Sequence, residues 1–262
     1  MQSPVALPRY APRRVFSRLM EIAARAAGPR VAHRHALRKL ERGRGFEPEY
    51  YLLDHLIDPR RLALDVGANE GNYAGRMAQL GARVHCFEPI PWFAEALRRK
   101  LDPSIVVHGC AVSNRAGEGV LRIPYRDAVE LHGISTLETA NTLAGSTHVR
   151  EVPCRLVRLD DVIGEPVGFV KIDVEGHELA VLEGAERILR EHRPVLLVES
   201  EARHSDGAPG TIFRHLTGLG YVGCFLLDGQ TRGLSAFSVP VHQRAENAMQ
   251  AGKLYVNNFI FF

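Results

Sequence analysis

Leu64-Asp65-Val66-Gly67-Ala68-Asn69-Glu70-Gly71 is the stretch that decides how the rest of this chain is read. A short apolar run over 62–66 ends in a tight turn with two glycines, and a helical pattern over 72–80 follows and stops at Gly81. Strand, glycine turn and helix in that order place the turn at the carboxyl edge of a parallel sheet, where ligands bind. Gly67 lets the backbone approach a ligand, because a Cβ there would collide with it. Phosphate ligands fit the turn poorly. A dinucleotide calls for G-x-G-x-x-G, and Asn69 stands where the second glycine belongs, with Glu70 adding negative charge beside any pyrophosphate. A nucleoside triphosphate calls for a Lys-Ser/Thr pair after the last glycine, and none is present.

Outward from the turn, strand and helix patterns alternate. Strands are expected over 82–87, 105–112, 120–123, 149–157, 168–174, 195–199, 221–227 and 254–262. Helices are expected over 92–101, 177–190 and 211–219. Alternation of this kind implies an α/β fold with a mainly parallel sheet. The exception is 125–148, which has no periodicity and is rich in Gly, Ser, Thr and His. A loop that long in a compact domain usually serves function, and it reads as a substrate-side insertion or lid.

Two further carboxylates end strands. Glu88 closes Val84-His85-Cys86-Phe87-Glu88-Pro89, 21 residues past Gly67, where an acid accepts hydrogen bonds from both ribose hydroxyls of a nucleoside. Phe169-Val170-Lys171-Ile172-Asp173-Val174-Glu175-Gly176-His177-Glu178 runs a buried strand straight into ionisable groups at the sheet mouth, an arrangement that is costly unless the charges are paired or functional. A nucleoside cofactor that lacks phosphates and carries a cationic sulfonium tolerates such acidic neighbours, and S-adenosylmethionine meets that description.

The series L-D-V-G-A-N-E-G, F-E-P, A-V-S-N, L-D-D-V and K-I-D-V-E-G-H-E, with V-L-E-G-A after it, resembles the FkbM methyltransferases from about Glu49 to Phe262. The resemblance implies a Rossmann-like class I fold: a seven-stranded, mostly parallel sheet with its last strand antiparallel and helices on both faces. It implies that Asp65, Gly67, Asn69 and Gly71 line the methionine part of S-adenosylmethionine. Glu88 would hold the ribose, Ala111, Val112 and Ser113 would border the adenine, and Asp173 would sit beside the transferred methyl. The implied reaction is methyl transfer to a hydroxyl of a sugar, glycan or natural-product acceptor. Asp173, His177 and Glu199 are the candidate bases, with His132 and His148 behind them; a base so placed contributes about 10²–10⁴-fold. Asp173, Glu175 and His177 could ligate a metal, strand alternation sending the two acids to one face, but no second ligand pair has recognisable spacing and no metal is expected. An oxidoreductase or epimerase on a dinucleotide fold, and a non-catalytic glycan- or membrane-binding member, are the competing classes.

Composition is that of a globular chain, with 45% hydrophobic and 24% charged residues. No apolar run reaches the ~20 residues of a membrane span and no secretory signal is apparent. Cys86, Cys110, Cys154 and Cys224 are widely spaced and read as reduced thiols, which fits a cytoplasmic protein. Charge is uneven: residues 1–45 carry eleven Lys and Arg against Glu21 and Glu41, so the remainder bears −6 of the overall +3. Residues 1–48 are therefore a basic, helical N-terminal extension, patterned over 13–40 with a break at Gly28-Pro29, and 49–262 form the methyltransferase domain. The extension is read as docking the protein peripherally on an anionic polysaccharide or the inner face of the membrane. Nucleic acid is not expected, for no aromatic-interleaved basic patch accompanies the charge.

Overall fold

The structure, a computed structural model, describes residue 21 and residues 23–43, 46–139, 141, 143, 145–248 and 253–262. Its centre is β1 (Leu62–Val66), a strand buried at every position and therefore covered on both faces, as a parallel strand inside an α/β sheet must be. On one side β1 pairs in parallel with β2 (Arg83–Phe87), and β2 with β3 (Val106–His108). On the other side it pairs with β8 (Val167–Ile172), and β8 with β9 (Val195–Glu199), again in parallel. β12 (Asn258–Phe261) then runs antiparallel to β9 and to β10 (Gly223–Leu227). The order of the chain reverses between β1 and β8, so the crevice for a ligand opens at their carboxyl ends.

Alternate side chains send the sheet into two cores. Leu62, Leu64 and Val66 pack with Val170 and Ile172 of β8 and with Val181, Leu182, Ile212 and Leu216, the last four from α6 (Glu178–Glu183) and α7 (Gly210–Gly218). Ala63, Val84 and Phe169 face the other way onto Tyr73 and Met77 of α3 (Asn72–Gln79) and Leu97 of α4 (Pro91–Lys100). Helices therefore cover both faces, as expected.

The strand count departs from seven. β11 (Gln230–Gly233) adds an eighth strand by a two-residue hairpin whose central residues, Asp228 and Gly229, both have positive φ (51° and 72°). That is the turn geometry whose twist matches paired strands. The stretch 105–112, expected as one strand, is two. β3 stays in the main sheet, and after Gly109-Cys110 the chain leaves it as β4 (Ala111–Val112). β4 belongs to a second sheet of order β4-β7-β5-β6, built on the long antiparallel pair β5 (Gly117–Arg126) and β7 (His148–Val157), with β6 (Val129–Glu130) at its edge. Its own core joins Ile90, Ala111, Leu121, Ile123, Val152 and Leu156.

The two ends of the expected loop 125–148 are thus stranded. Its interior is tied down: Arg122 exchanges backbone hydrogen bonds with Thr136, and its Nη1 donates to the carbonyls of Glu138 (3.1 Å) and Asn141 (3.0 Å). Of the first half of the N-terminal helical pattern, residues 13–20 and 22 lie outside the described residues, and residues 23–26 are helical before the break at Gly28. The second half is α1 (Pro29–Gly43), which packs across α3 and α4. All four cysteines are free, and Cys86, Cys110 and Cys154 are buried.

Candidate active site

Val66 of β1 is paired with Ile172 of β8, so the residues that follow them emerge side by side at the reversal point. Asp173 donates its N–H to the Val66 carbonyl (3.0 Å), and Gly67 turns away at φ 82°. A Cβ on Gly67 would lie 1.8 Å from the Asp173 carbonyl oxygen, so the two backbones meet only because this residue is glycine. The turn is held from outside by Phe87, whose carbonyl accepts the N–H groups of Gly67 (3.1 Å) and Ala68 (3.0 Å).

A cavity of about 620 Å³, counting its mouth, lies over this floor. Gly67, Asn69, Glu88, Ala111, Val112, Asp173 and His177 all line it, so seven of the residues singled out in the sequence converge. Asp65, Gly71, Ser113 and Glu199 are not in its wall. The Asp65 carboxylate turns into the protein and accepts the Ala74 N–H at 2.8 Å, securing the start of α3 rather than touching a ligand. Gly71 caps α3 at φ 72°, where a Cβ would press on Leu97. Ser113 lies just behind the wall against His177. Glu199 is half-buried at the end of β9, with Oε1 accepting Asn257 Nδ2 at 2.7 Å, and desolvation together with the nearby Asp173 charge raises its pKa well above the usual carboxylate range.

Glu88 is 4% exposed, and its two oxygens accept the N–H groups of Asn69 and Ile90, each at 2.9 Å. Burial pushes it up to about 7, against the pull of those two donors. Protonation would force one oxygen to become a donor facing an N–H, so a ligand hydroxyl is better received by the ionised form. The sign follows: the raised pKa means that the empty site favours the proton, and apo stability from Glu88 falls as pH rises through about 7. A ligand that needs the carboxylate binds more tightly over the same interval. Between pH 6 and pH 8 the affinity for S-adenosylmethionine is expected to rise about tenfold, and Glu88→Gln to weaken binding and flatten the profile. Calorimetric titration checks both, and a pH-independent wild type would dismiss the role given to Glu88.

His177 sits at the N-terminal boundary of α6 with both ring nitrogens engaged. Nδ1 is 2.5 Å from Glu138 Oε1, and Nε2 is 2.9 Å from Ser113 Oγ. A carboxylate only accepts, so the Nδ1 side of the ring is the donor in the bond to Glu138. The hydrogen bond from His177 in turn lowers the pKa of Glu138. Glu138 belongs to the 125–148 segment, which is also latched onto the Glu175 carbonyl by Thr136 Oγ1 (2.7 Å) and Asn141 Nδ2 (3.2 Å). At the far side His132 of the same segment lies 4.3 Å from the Phe93 ring. The segment therefore roofs the cavity, which it lines with His132, Gly133, Ser135 and Leu137.

Lys171, 1% exposed, sends Nζ to Asp173 Oδ2 at 3.0 Å and beneath the Tyr73 ring at 5.0 Å. Burial opposes its charge, yet Asp173, Glu47 and Glu199 outweigh that and keep its pKa above the ordinary value. Asp173, Glu175 and Glu199 bring carboxylate oxygens within 4.8 Å of one another, although β8 ends at Ile172 and strand alternation does not place them. Glu175 has φ 55° in the turn and meets His204 Nδ1 at 3.0 Å through Oε2. The cluster is thus balanced internally by Lys171 and His204.

The wall suits S-adenosylmethionine. Its charged residues are Glu88, Asp173 and Glu175, with no Lys or Arg among the described residues that line it, so a sulfonium is welcome and a pyrophosphate is not. Asn69 Oδ1 and Ser135 Oγ are buried in this wall without a partner, which costs stability unless a ligand supplies polar groups to meet them.

Comparison with known proteins gives the family. Residues 65–222 match the family model described as "Methyltransferase FkbM domain". The chain is 31% identical over 195 residues to 31-O-demethyl-FK506 methyltransferase FkbM of Streptomyces tacrolimicus, covering 63% of this chain and 74% of that one. Among solved structures it is similar to the methyltransferase FkbM of Methylobacillus flagellatus KT, at 17% identity and a TM-score of 0.51. That alignment covers 95% of this chain and 59% of the other, so the present chain spans about three fifths of that protein's length.

Proposed function

The chain belongs to the FkbM methyltransferase family, and on that premise we propose that it methylates a hydroxyl oxygen of a sugar, glycan or natural-product acceptor, with Asp173 as the base that takes the hydroxyl proton. Its methyl donor is S-adenosylmethionine. When bound, that cofactor supplies an electrophilic methyl on a sulfonium. The chain's own work is to hold an oxygen in line with it and to receive a proton.

The observation that carries the reading is the placement of Asp173. Its carboxylate stands in the cavity wall at the strand reversal, and Lys171 is the hydrogen-bond partner of that carboxylate among the described residues. Lys171 holds Oδ2, which fixes the direction of Oδ1. The Glu199 carboxylate is engaged by Asn257 and does not line the cavity, and His177 is committed at both nitrogens while the roof is closed. Their part is to keep the charge beneath Asp173 and to join the roof to the cofactor floor. Oxygen as the accepting atom is supported by the name of the Streptomyces tacrolimicus relative, a 31-O-demethyl-FK506 methyltransferase.

The same proposal takes 49–262 as the catalytic domain, 125–148 as its lid and 1–48 as a basic extension facing an anionic glycan or the inner face of a membrane from the cytoplasm. No helix among the described residues is long and apolar enough to cross a membrane. Incubating the protein with S-adenosylmethionine labelled with carbon-13 at the methyl, together with sugar and polyol acceptors, tests the reaction. Carbon resonances of O-methyl ethers are expected in the product. Label recovered only on nitrogen or carbon would refute oxygen as the acceptor.

A further inference from the structure

Outside the cofactor cavity, α1 overhangs a groove made of two connected spaces. The wider, about 1480 Å³ with its mouth, runs past Arg25 and Lys39 to Glu70 and Asn72 beside the cofactor turn. The narrower, about 810 Å³, lies between Arg30 and Arg34 of α1 and the stretch from Lys100 to Ile105. His33 and Lys100 line both, so they mark the junction. The groove exists because Gly75 lets α1 settle on α3: a Cβ there would lie 2.7 Å from Leu37 Cδ1 and 2.8 Å from His33 Nε2.

The chemistry at the junction is incomplete. His33 is 8% exposed, and its Nε2 is buried with no hydrogen-bond partner. Burial, with the charge of Lys100 adding to it, pushes this histidine down to about 4, so the ring is neutral and can offer an N–H. Lys100 is half-buried at the end of α4, and burial lowers its pKa. Among the described residues Arg30, Arg34 and Lys100 form no ion pair within 4 Å. The one acid beside them in the narrow space, Asp102, spends its Oδ1 on the N–H (3.0 Å) and hydroxyl (2.8 Å) of Ser104. At the other end Glu21 is taken by Lys39 at 2.5 Å. Arg30, Arg34 and Lys100 thus line the same space as a buried imidazole nitrogen without a hydrogen-bond partner among the described residues.

We propose that this junction binds a phosphate group, with Arg30, Arg34 and Lys100 as its counter-charges and His33 Nε2 as a neutral donor. Two guanidinium forks and an ammonium suit a dianionic tetrahedral group better than a single carboxylate. The phosphate belongs to the acceptor, whose remainder lies along the wider space toward Glu70 and Asn72; this part of the inference rests on the methyl-transfer reading. The protein's own leader is a poor occupant, since residues 1–20 contain four arginines and no acid. Nucleic acid is disfavoured as well, for among the described residues no Phe, Tyr or Trp lines either space to stack a base.

Calorimetric titration of the full chain with inorganic diphosphate at low ionic strength tests the site. Saturable binding is expected, weakened about tenfold or more in Arg34→Ala and further in Arg34→Ala/Lys100→Gln, and reduced by added salt. Arg34 is exposed, so its loss leaves the fold intact, and an unchanged melting temperature verifies this. Affinity for S-adenosylmethionine, titrated in parallel, stays at the wild-type value in both variants. Absence of diphosphate binding, or binding indifferent to these substitutions, overturns the site. So does sedimentation with phosphatidylglycerol vesicles that diphosphate fails to displace, which would assign the charge to a bilayer surface. Loss of S-adenosylmethionine binding by the wild type would instead sink the methyl-transfer reading and leave the phosphate site standing.

Discussion

Gly67→Ala is expected to abolish measurable binding of S-adenosylmethionine and to lower the melting temperature by roughly 5–15 °C. Two costs combine. At φ 82° a residue with a Cβ is in the left-handed region, which costs about 1–2 kcal/mol. The new Cβ would also stand 1.8 Å from the Asp173 carbonyl oxygen and 2.9 Å from its carbon. Both are backbone atoms, fixed by the hydrogen bond from the Asp173 N–H to Val66 and by the parallel register of β1 and β8. No side chain can swing aside, so the exits of the two strands must part, adding about 1–3 kcal/mol of overpacking. In a domain of this size each kcal/mol moves the transition by about 2–4 °C. The parting deforms the cavity floor itself, which is why binding suffers more than stability. Gly164→Ala, where a Cβ meets nothing within 4 Å, is the control and is expected to behave as wild type. Calorimetric melting and cofactor titration of the two variants decide the matter. A Gly67→Ala protein that still binds S-adenosylmethionine at wild-type affinity would show that the floor is not at Gly67.

What the sequence disclosed was whatever is local and periodic. β1 and β8 are largely buried runs and β2 alternates into one, and Gly67, Glu88 and Asp173 are their immediate carboxyl-terminal neighbours, so strand geometry alone brings the three together. Membership of a motif does not say which way a side chain points. Asp65 lies in the same octet as Gly67 yet faces Ala74, and Ser113 follows β4 yet faces His177. The departure of β4 from the main sheet was hidden because 105–112 is apolar almost throughout, with Gly109 as its one break. The Asp228-Gly229 pair that turns β10 into β11 is a recognisable hairpin signal and could have revealed the eighth strand. The roof was illegible for a physical reason. Thr136, Glu138 and Asn141 find their partners 34 to 39 residues away, and Ser135 lines the cavity from a segment with no period. No local pattern encodes contacts of that separation.

Asp173→Asn is expected to lower kcat by about 10²–10⁴ while changing the dissociation constant of S-adenosylmethionine only a few-fold. The asparagine keeps the shape and an oxygen that accepts from Lys171 Nζ, so the ammonium at 1% exposure stays hydrogen-bonded and retains Glu47 as nearby negative charge. What vanishes is the lone pair able to receive the acceptor's proton. Glu199→Gln probes the alternative. Its carboxylate is buried against Asn257 and its pKa is raised by burial, so a neutral amide resembles the state it already favours, and kcat is expected to change by far less. His177→Gln breaks the link between Glu138 in the roof and Ser113 behind the cavity wall, so it is expected to act mainly on cofactor affinity and release, with a modest effect on the chemical step. Single-turnover rates with saturating donor separate these cases, because they exclude product release. If His177→Gln slows the single turnover more than Asp173→Asn does, the proton goes to the histidine and the roof must open for catalysis; the reverse order keeps it on the carboxylate at the strand reversal.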